Sequence, residues 1–124
     1  MQKVSSMYER TDRDFLNDIR EAIHRITTYV AGMSYETFVT DTKTQDAVIR
    51  NLEIIGEATK NLSEQLRTEY PDIPWKGMAG GRDRLIHHYF GVNLDIIWQI
   101  ATTELPQVSS ILEKNKKDQG EGAA

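Results

Sequence analysis

From Thr11 onward apolar residues return every three or four positions, at Phe15, Ile19, Ile23, Ile26 and Val30, while Asp12, Asp14, Asp18, Arg20, Glu21 and Arg25 fill the positions between. That spacing is the period of an amphipathic helix, and Gly32 suits its C-terminal cap. Tyr35 and Phe38 predict a single helical turn between Ser34 and Thr40. Thr42 and Gln45 have capping-box spacing and open a second series through Val48, Leu52, Ile55, Thr59, Leu62 and Leu66, which Pro71 stops. One helix over 42–69 would be roughly 40 Å long. Ile49, Ile54, Gly56 and Ala58 widen its apolar face beyond what one neighbouring helix covers, which leaves room for a second contact surface such as another subunit.

Pro74 is placed to begin a third helix carrying Trp75, Met78, Leu85, Ile86 and Tyr89 on one broad face. Gly77, Gly80 and Gly81 weaken it, each by about 1 kcal/mol relative to alanine, and suit a close approach by a backbone or a ligand. Gly91 can end it, and Asn93 can cap a fourth helix with Leu94, Ile97, Trp98, Ala101 and Leu105. Pro106 must kink or restart that helix before Val108, Ile111 and Leu112 continue the spacing. No window alternates with period two. The fold class is all-α, an up-and-down bundle of four to five helices over residues 1–113, with a polar, disordered tail over 114–124.

Composition narrows the chemistry. With no cysteine among 124 residues, a disulfide scaffold, a Cys-ligated metal and a thiol nucleophile are all excluded. No apolar run reaches the roughly 18 residues that span a bilayer, and residues 1–10 lack a signal-peptide core, so a cytoplasmic protein with no membrane role is expected. The net charge of −4 opposes a broadly basic nucleic-acid binder. Yet residues 75–91 hold Lys76, Arg82 and Arg84 against Asp83, a local +2 that leaves −6 on the rest of the chain. An acidic body with one small basic segment admits nucleic acid locally and repels it elsewhere.

That segment also concentrates titratable groups. Arg82, Asp83, Arg84, His87, His88 and Tyr89 fall within eight positions. On a helix Asp83 and His87 are neighbours at i and i+4, so the carboxylate can hold the imidazole and favour its protonated form. Arg82 and His87, five apart, point about 140° away from each other on an ideal helix. Either the helix loosens near His87 or a two-fold dimer brings two copies of the segment together. Adjacent His87 and His88 diverge and do not chelate, and Asp83 alone is a poor substitute for a carboxylate cluster, so no metal and no cofactor is expected. The chemistry these residues allow is metal-free phosphodiester cleavage of RNA, which supplies its own 2′-hydroxyl nucleophile: a histidine can move the proton and an arginine can steady the phosphate charge. The plainer alternative is a helix whose arginines pair with acidic neighbours and whose aromatics fill the core. His24, beside the apolar stripe of the first helix, reads as structural.

Arg82-x-x-x-x-His87-x-Tyr89 resembles the signature of HEPN-domain ribonucleases of the HepT type, the toxins of HepT/MNT toxin-antitoxin systems. The resemblance continues over Asp46-Ala-Val-Ile-Arg-Asn-Leu-Glu-Ile-Ile-Gly-Glu-Ala58, Ile73-Pro74-Trp75-Lys76, Tyr89-Phe-Gly-Val-Asn-Leu-Asp95, Trp98 and Leu105-Pro106. It implies an all-α homodimer with the Arg-His motifs meeting in an interface cleft and Arg82 and His87 as the catalytic pair; Asp83, Arg84 and His88 beside them are read as supporting residues. It further implies an RNA substrate, mRNA or tRNA, and an MNT-type nucleotidyltransferase antitoxin that silences the toxin by adenylylating Tyr89. Asp83 stands where the family often has asparagine; its carboxylate strengthens His87 as an acid but opposes the charge of RNA. A non-catalytic helical subunit of a nucleotidyltransferase complex is the competing reading.

Overall fold

A computed structural model describes residues 9–80 and 93–123, with side chains described as far as Lys114. Every regular element among them is helical: α1 (Asp12–Val30), α2 (Tyr35–Val39), α3 (Thr42–Lys60), α4 (Glu64–Glu69), α5 (Leu94–Gln99), a π-helical turn (Ile100–Glu104) and α6 (Leu105–Ala123). Residues 75–80 are also helical. The all-α expectation holds, and no helix among the described residues is long and apolar enough to cross a membrane.

Local chemistry accounts for the helix ends. Thr11 and Asp14 form a reciprocal capping box at the start of α1. Its exit passes through Gly32 at φ 76°, a left-handed conformation that a Cβ would oppose. Ser34 caps α2 by accepting from the Thr37 N–H. The expected Thr42–Gln45 box is displaced by one residue. Asp41 caps α3, accepting from the Thr44 N–H at 2.9 Å and from its hydroxyl at 2.7 Å. Gln45 turns back instead, donating to the carbonyls of Phe38 and Val39, each at 2.9 Å, and so closes the end of α2.

The single long helix over 42–69 is the larger correction: it breaks at Asn61–Ser63. Ser63 opens a new helix, accepting from the Leu66 N–H. Asp12, 51 residues earlier, accepts from both the N–H (2.8 Å) and the hydroxyl (2.6 Å) of Ser63. Arg67 Nη2 then reaches back 2.7 Å to the carbonyl of Thr59 where α3 ends, which also accepts from the Leu62 N–H. Three side chains thus stabilise a turn that the apolar spacing alone would have carried through.

Pro106 is passed without a break. It has no N–H to donate, and its ring crowds the carbonyl four residues earlier. The preceding turn widens, with the Leu105 N–H bonding the Ile100 carbonyl five residues back, and α6 runs on from it.

The core is one cluster. α1 lies against α3 on one side and against the π turn and α6 on the other, contributing Leu16, Ile19, Ala22, Ile23, Ile26 and Val30. α3 contributes Val48, Leu52, Ile55 and Ala58, while Ile49 and Ile54, which widen its face, are half-buried against the same core. Ile97, Ala101, Leu105, Val108 and Leu112 complete it from the C-terminal third. Phe38, fully buried, brings α2 onto this core, its ring 5.1 Å from that of Trp98.

Candidate active site

Arg82, Asp83, Arg84, His87, His88 and Tyr89 all lie outside the described residues. What the structure defines is how the chain is held on either side of them. His24, the remaining histidine, is exposed on α1, and its carbonyl accepts from the Thr28 hydroxyl.

On the N-terminal side the chain is fixed by a compact turn. Tyr70 and Ile73 are buried, and the Ile73 N–H donates to the Tyr70 carbonyl. Trp75 is buried with its ring edge-on to Tyr70 at 6.2 Å. Its indole N–H is shared between the carbonyls of Arg67 (3.0 Å) and Tyr70 (3.1 Å) at the end of α4, each of which also accepts one backbone N–H. Pro74 begins the helical stretch as expected, its carbonyl accepting from the Met78 N–H at 3.0 Å. Among the described residues, a Cβ built at Gly77 or Gly80 would meet no atom within 4 Å. The close approach expected at these two positions is therefore not made among the described residues.

On the C-terminal side Asn93 opens α5, its side chain accepting from the N–H groups of Asp95 and Ile96. Trp98 packs between Phe38 and Tyr35, edge-on to the latter at 6.1 Å. The Tyr35 phenol is pushed above its ordinary range, first by its hydrogen bond to the Asp95 carboxylate and then by partial burial. A hydrogen bond and an aromatic cluster thus tie α2 to the first turn of α5. The segment carrying the Arg-His-Tyr motif runs between these two fixed ends.

Elsewhere α1 and α3 border a shallow groove lined by Arg10, Phe15, Asp18, Arg50, Glu53 and Ile54. Arg10 is already engaged there, paired with Asp18 at 2.9 Å and lying over the Phe15 ring. The described residues contain no cluster of three histidine, aspartate or glutamate side chains able to hold a metal ion.

The turn built on Arg67 and Trp75 and the link from Tyr35 to Asp95 had no signature in the sequence. Each joins residues whose spacing fits no helical pair, and only the Ser-Thr-Asn-Asp caps among these contacts are local enough to be read from neighbours.

Comparison with known proteins supplies the identity. A family model described as "Ribonuclease HepT-like" matches residues 19–115. A protein of Methanocaldococcus jannaschii named "Putative RNase MJ0127" is 48% identical over 112 residues, covering 90% of this chain and 93% of that one. The "Probable ribonuclease HepT" of Thermococcus cleftensis is 44% identical over 109 residues, covering 88% of this chain and 99% of its own. The "Putative RNase TTE0752" of Caldanaerobacter subterraneus subsp. tengcongensis is 45% identical over 111 residues, covering 86% and 99%. No solved structure matches. With a family match over most of its length and relatives covered almost end to end, the chain belongs to the HepT-like ribonuclease family.

Proposed function

We propose that the chain is a metal-independent endoribonuclease toxin acting as a cytoplasmic homodimer, with Arg82 and His87 as its catalytic pair. The observation that carries this reading is the family match over 19–115, which includes Arg82-x-x-x-x-His87-x-Tyr89 in full. Neutral His87 takes the proton of an RNA 2′-hydroxyl, and the 2′-oxygen attacks the adjacent phosphorus. The bond from phosphorus to the 5′-oxygen breaks, and that oxygen is protonated by an imidazolium, His87 of the same or the second copy. Arg82 stabilises the charge that builds on the phosphate oxygens. The products are a 2′,3′-cyclic phosphate and a 5′-hydroxyl, with nothing consumed.

A two-fold dimer answers the divergence of Arg82 and His87 along one helix, because each copy lends one group to the other's phosphate. Asp83, Arg84 and His88 tune charge and proton affinity around the pair. Regulation falls to Tyr89: a partner nucleotidyltransferase transfers AMP from ATP to its phenol oxygen and releases pyrophosphate. The added bulk and negative charge beside His87 then keep RNA phosphate out.

End chemistry tests this reading. The purified chain, incubated with mRNA or tRNA in excess EDTA, should leave 2′,3′-cyclic phosphate ends and should arrest growth when expressed alone. Co-expression with a nucleotidyltransferase should add the mass of one AMP to Tyr89 and relieve the arrest. Stable association with such a partner, without cleavage or growth arrest, would instead favour a non-catalytic subunit.

A further inference from the structure

We propose that Arg13, Asn17, Arg20 and His24 on the outer side of α1 form a further contact surface for RNA, which holds the phosphate backbone of a single strand. The proposal rests on the ribonuclease reading of the chain, which supplies the RNA, and not on which residues cut it.

At about 100° per residue the four positions fall within about 60° of one another on α1, and from Arg13 to His24 they extend about 16 Å along its axis. Arg13, Asn17 and His24 are exposed, and Arg20 is half-buried. What sets this strip apart is how charge is matched along the helix. All the carboxylates of α1 are engaged elsewhere: Asp12 accepts from Ser63 and Asp14 from Thr11, while Asp18 pairs with Arg10 and Glu21 with Arg25. Arg13 and Arg20 are left with no ion pair among the described residues. Arg20 donates from Nη1 to the neutral side-chain oxygen of Asn17 at 3.4 Å, and its Nε is buried without an acceptor. Glu113 and Lys114, at the described end of α6 on the other side of α1 from α3, cancel each other and leave the strip positive.

A phosphate backbone is the ligand this arrangement fits. Each guanidinium presents a planar fork of N–H donors matched to two phosphate oxygens, and neither has a carboxylate to give up first. The stem of Arg20 is packed on the helix and its head braced by Asn17, so little side-chain freedom is lost on binding. His24, at the end of the strip, offers a flat ring on which an unstacked base can lie. The chain as a whole carries −4, so its other faces repel a polyanion and favour its arrival where positive charge is unmatched.

The test is carried out on the full chain bearing His87→Ala, so that RNA is bound without being cut. Binding of a fluorescein-labelled single-stranded RNA is followed by anisotropy from about 50 to about 300 mM KCl, where each phosphate contact contributes about 0.7 to the slope of log affinity against log salt. Adding Arg13→Gln and Arg20→Gln together should reduce that slope by about 1.4 and weaken binding at the lowest salt by about tenfold or more. Arg13→Gln alone, at an exposed position that carries no part of the core, should reduce it by about 0.7. Arg25→Gln makes the same change of charge on the same helix at a residue already paired with Glu21, and should leave the slope unaltered and the affinity within about twofold. The proposal is overturned if Arg13→Gln and the double variant keep the slope, or if Arg25→Gln lowers it equally. It is also overturned if these variants lose only association with a nucleotidyltransferase while RNA binding is kept. RNA binding that follows the expected pattern, in a chain that cleaves no RNA when unsubstituted, upholds the surface and refutes the catalytic reading alone.

Discussion

Removing the Asp12 carboxylate should destabilise the protein by about 1.5 kcal/mol, because it joins two elements that the sequence places 51 residues apart. In the structure it accepts two hydrogen bonds from Ser63, at 2.8 and 2.6 Å. Bonds to a charged acceptor are worth about 1.5–3 kcal/mol each when buried, but this pair is exposed, and solvent reduces each to about 0.5 kcal/mol. Asp12 also occupies the first turn of α1, where a negative charge adds about 0.5 kcal/mol. For a chain of this size the loss in Asp12→Ala corresponds to a Tm lower by about 6 °C. Ser63→Ala should cost a similar amount, since it keeps the N–H bond to Asp12 but removes both the hydroxyl donor to Asp12 and the cap on Leu66. A double-mutant cycle by urea denaturation should then give a coupling of about 0.5–1 kcal/mol. The Ser63 hydrogen bonds, hydroxyl first, hold the Asp12 carboxyl below its ordinary range. Since the folded value is depressed, the clasp is fully present above the unfolded pKa of about 3.9 and is lost as pH falls through the folded value. The penalty of Asp12→Ala should therefore shrink between pH 7 and about pH 2.5. A coupling indistinguishable from zero, or a penalty equal at both pH values, would refute the assignment.

Two further outcomes follow from the core and the turns. Phe38→Ala, which empties a fully buried site beneath Trp98, should cost about 3–5 kcal/mol, read as a lower urea midpoint with an unchanged slope. Gly32→Ala forces a Cβ into the left-handed conformation and should cost about 1–2 kcal/mol by thermal denaturation; no loss would mean that the turn rearranges freely.

Much of this architecture was legible because helices are written locally. The apolar period located α1, the Ser34–Thr40 turn and the series after Asn93, and Gly32 marked the end of α1. The misreadings occur where a distant or competing partner decides. Nothing within 42–69 reveals that Asp12 will pair with Ser63, so the apolar spacing of Leu62 and Leu66 read as one uninterrupted helix. At the start of α3 the neighbouring Asp41 outcompetes Thr42 as cap, and Gln45 turns back to two carbonyls at the end of α2. The strain of Pro106 is absorbed by a widened turn, which spacing alone does not encode. The site divides in the same way. Arg82, His87 and Tyr89 stand out by residue type and motif, whereas the anchoring of their flanks through Trp75, Arg67, Tyr35 and Asp95 depends on packing between elements.

The most direct test of the central claim is RNA cleavage by the unsubstituted chain and by His87→Ala, compared in EDTA at matched concentrations. Loss of the group that moves the proton should slow cleavage by about 10²–10⁴-fold while the variant keeps its helical content and melting transition. Cleavage by His87→Ala at the unsubstituted rate would contradict the account.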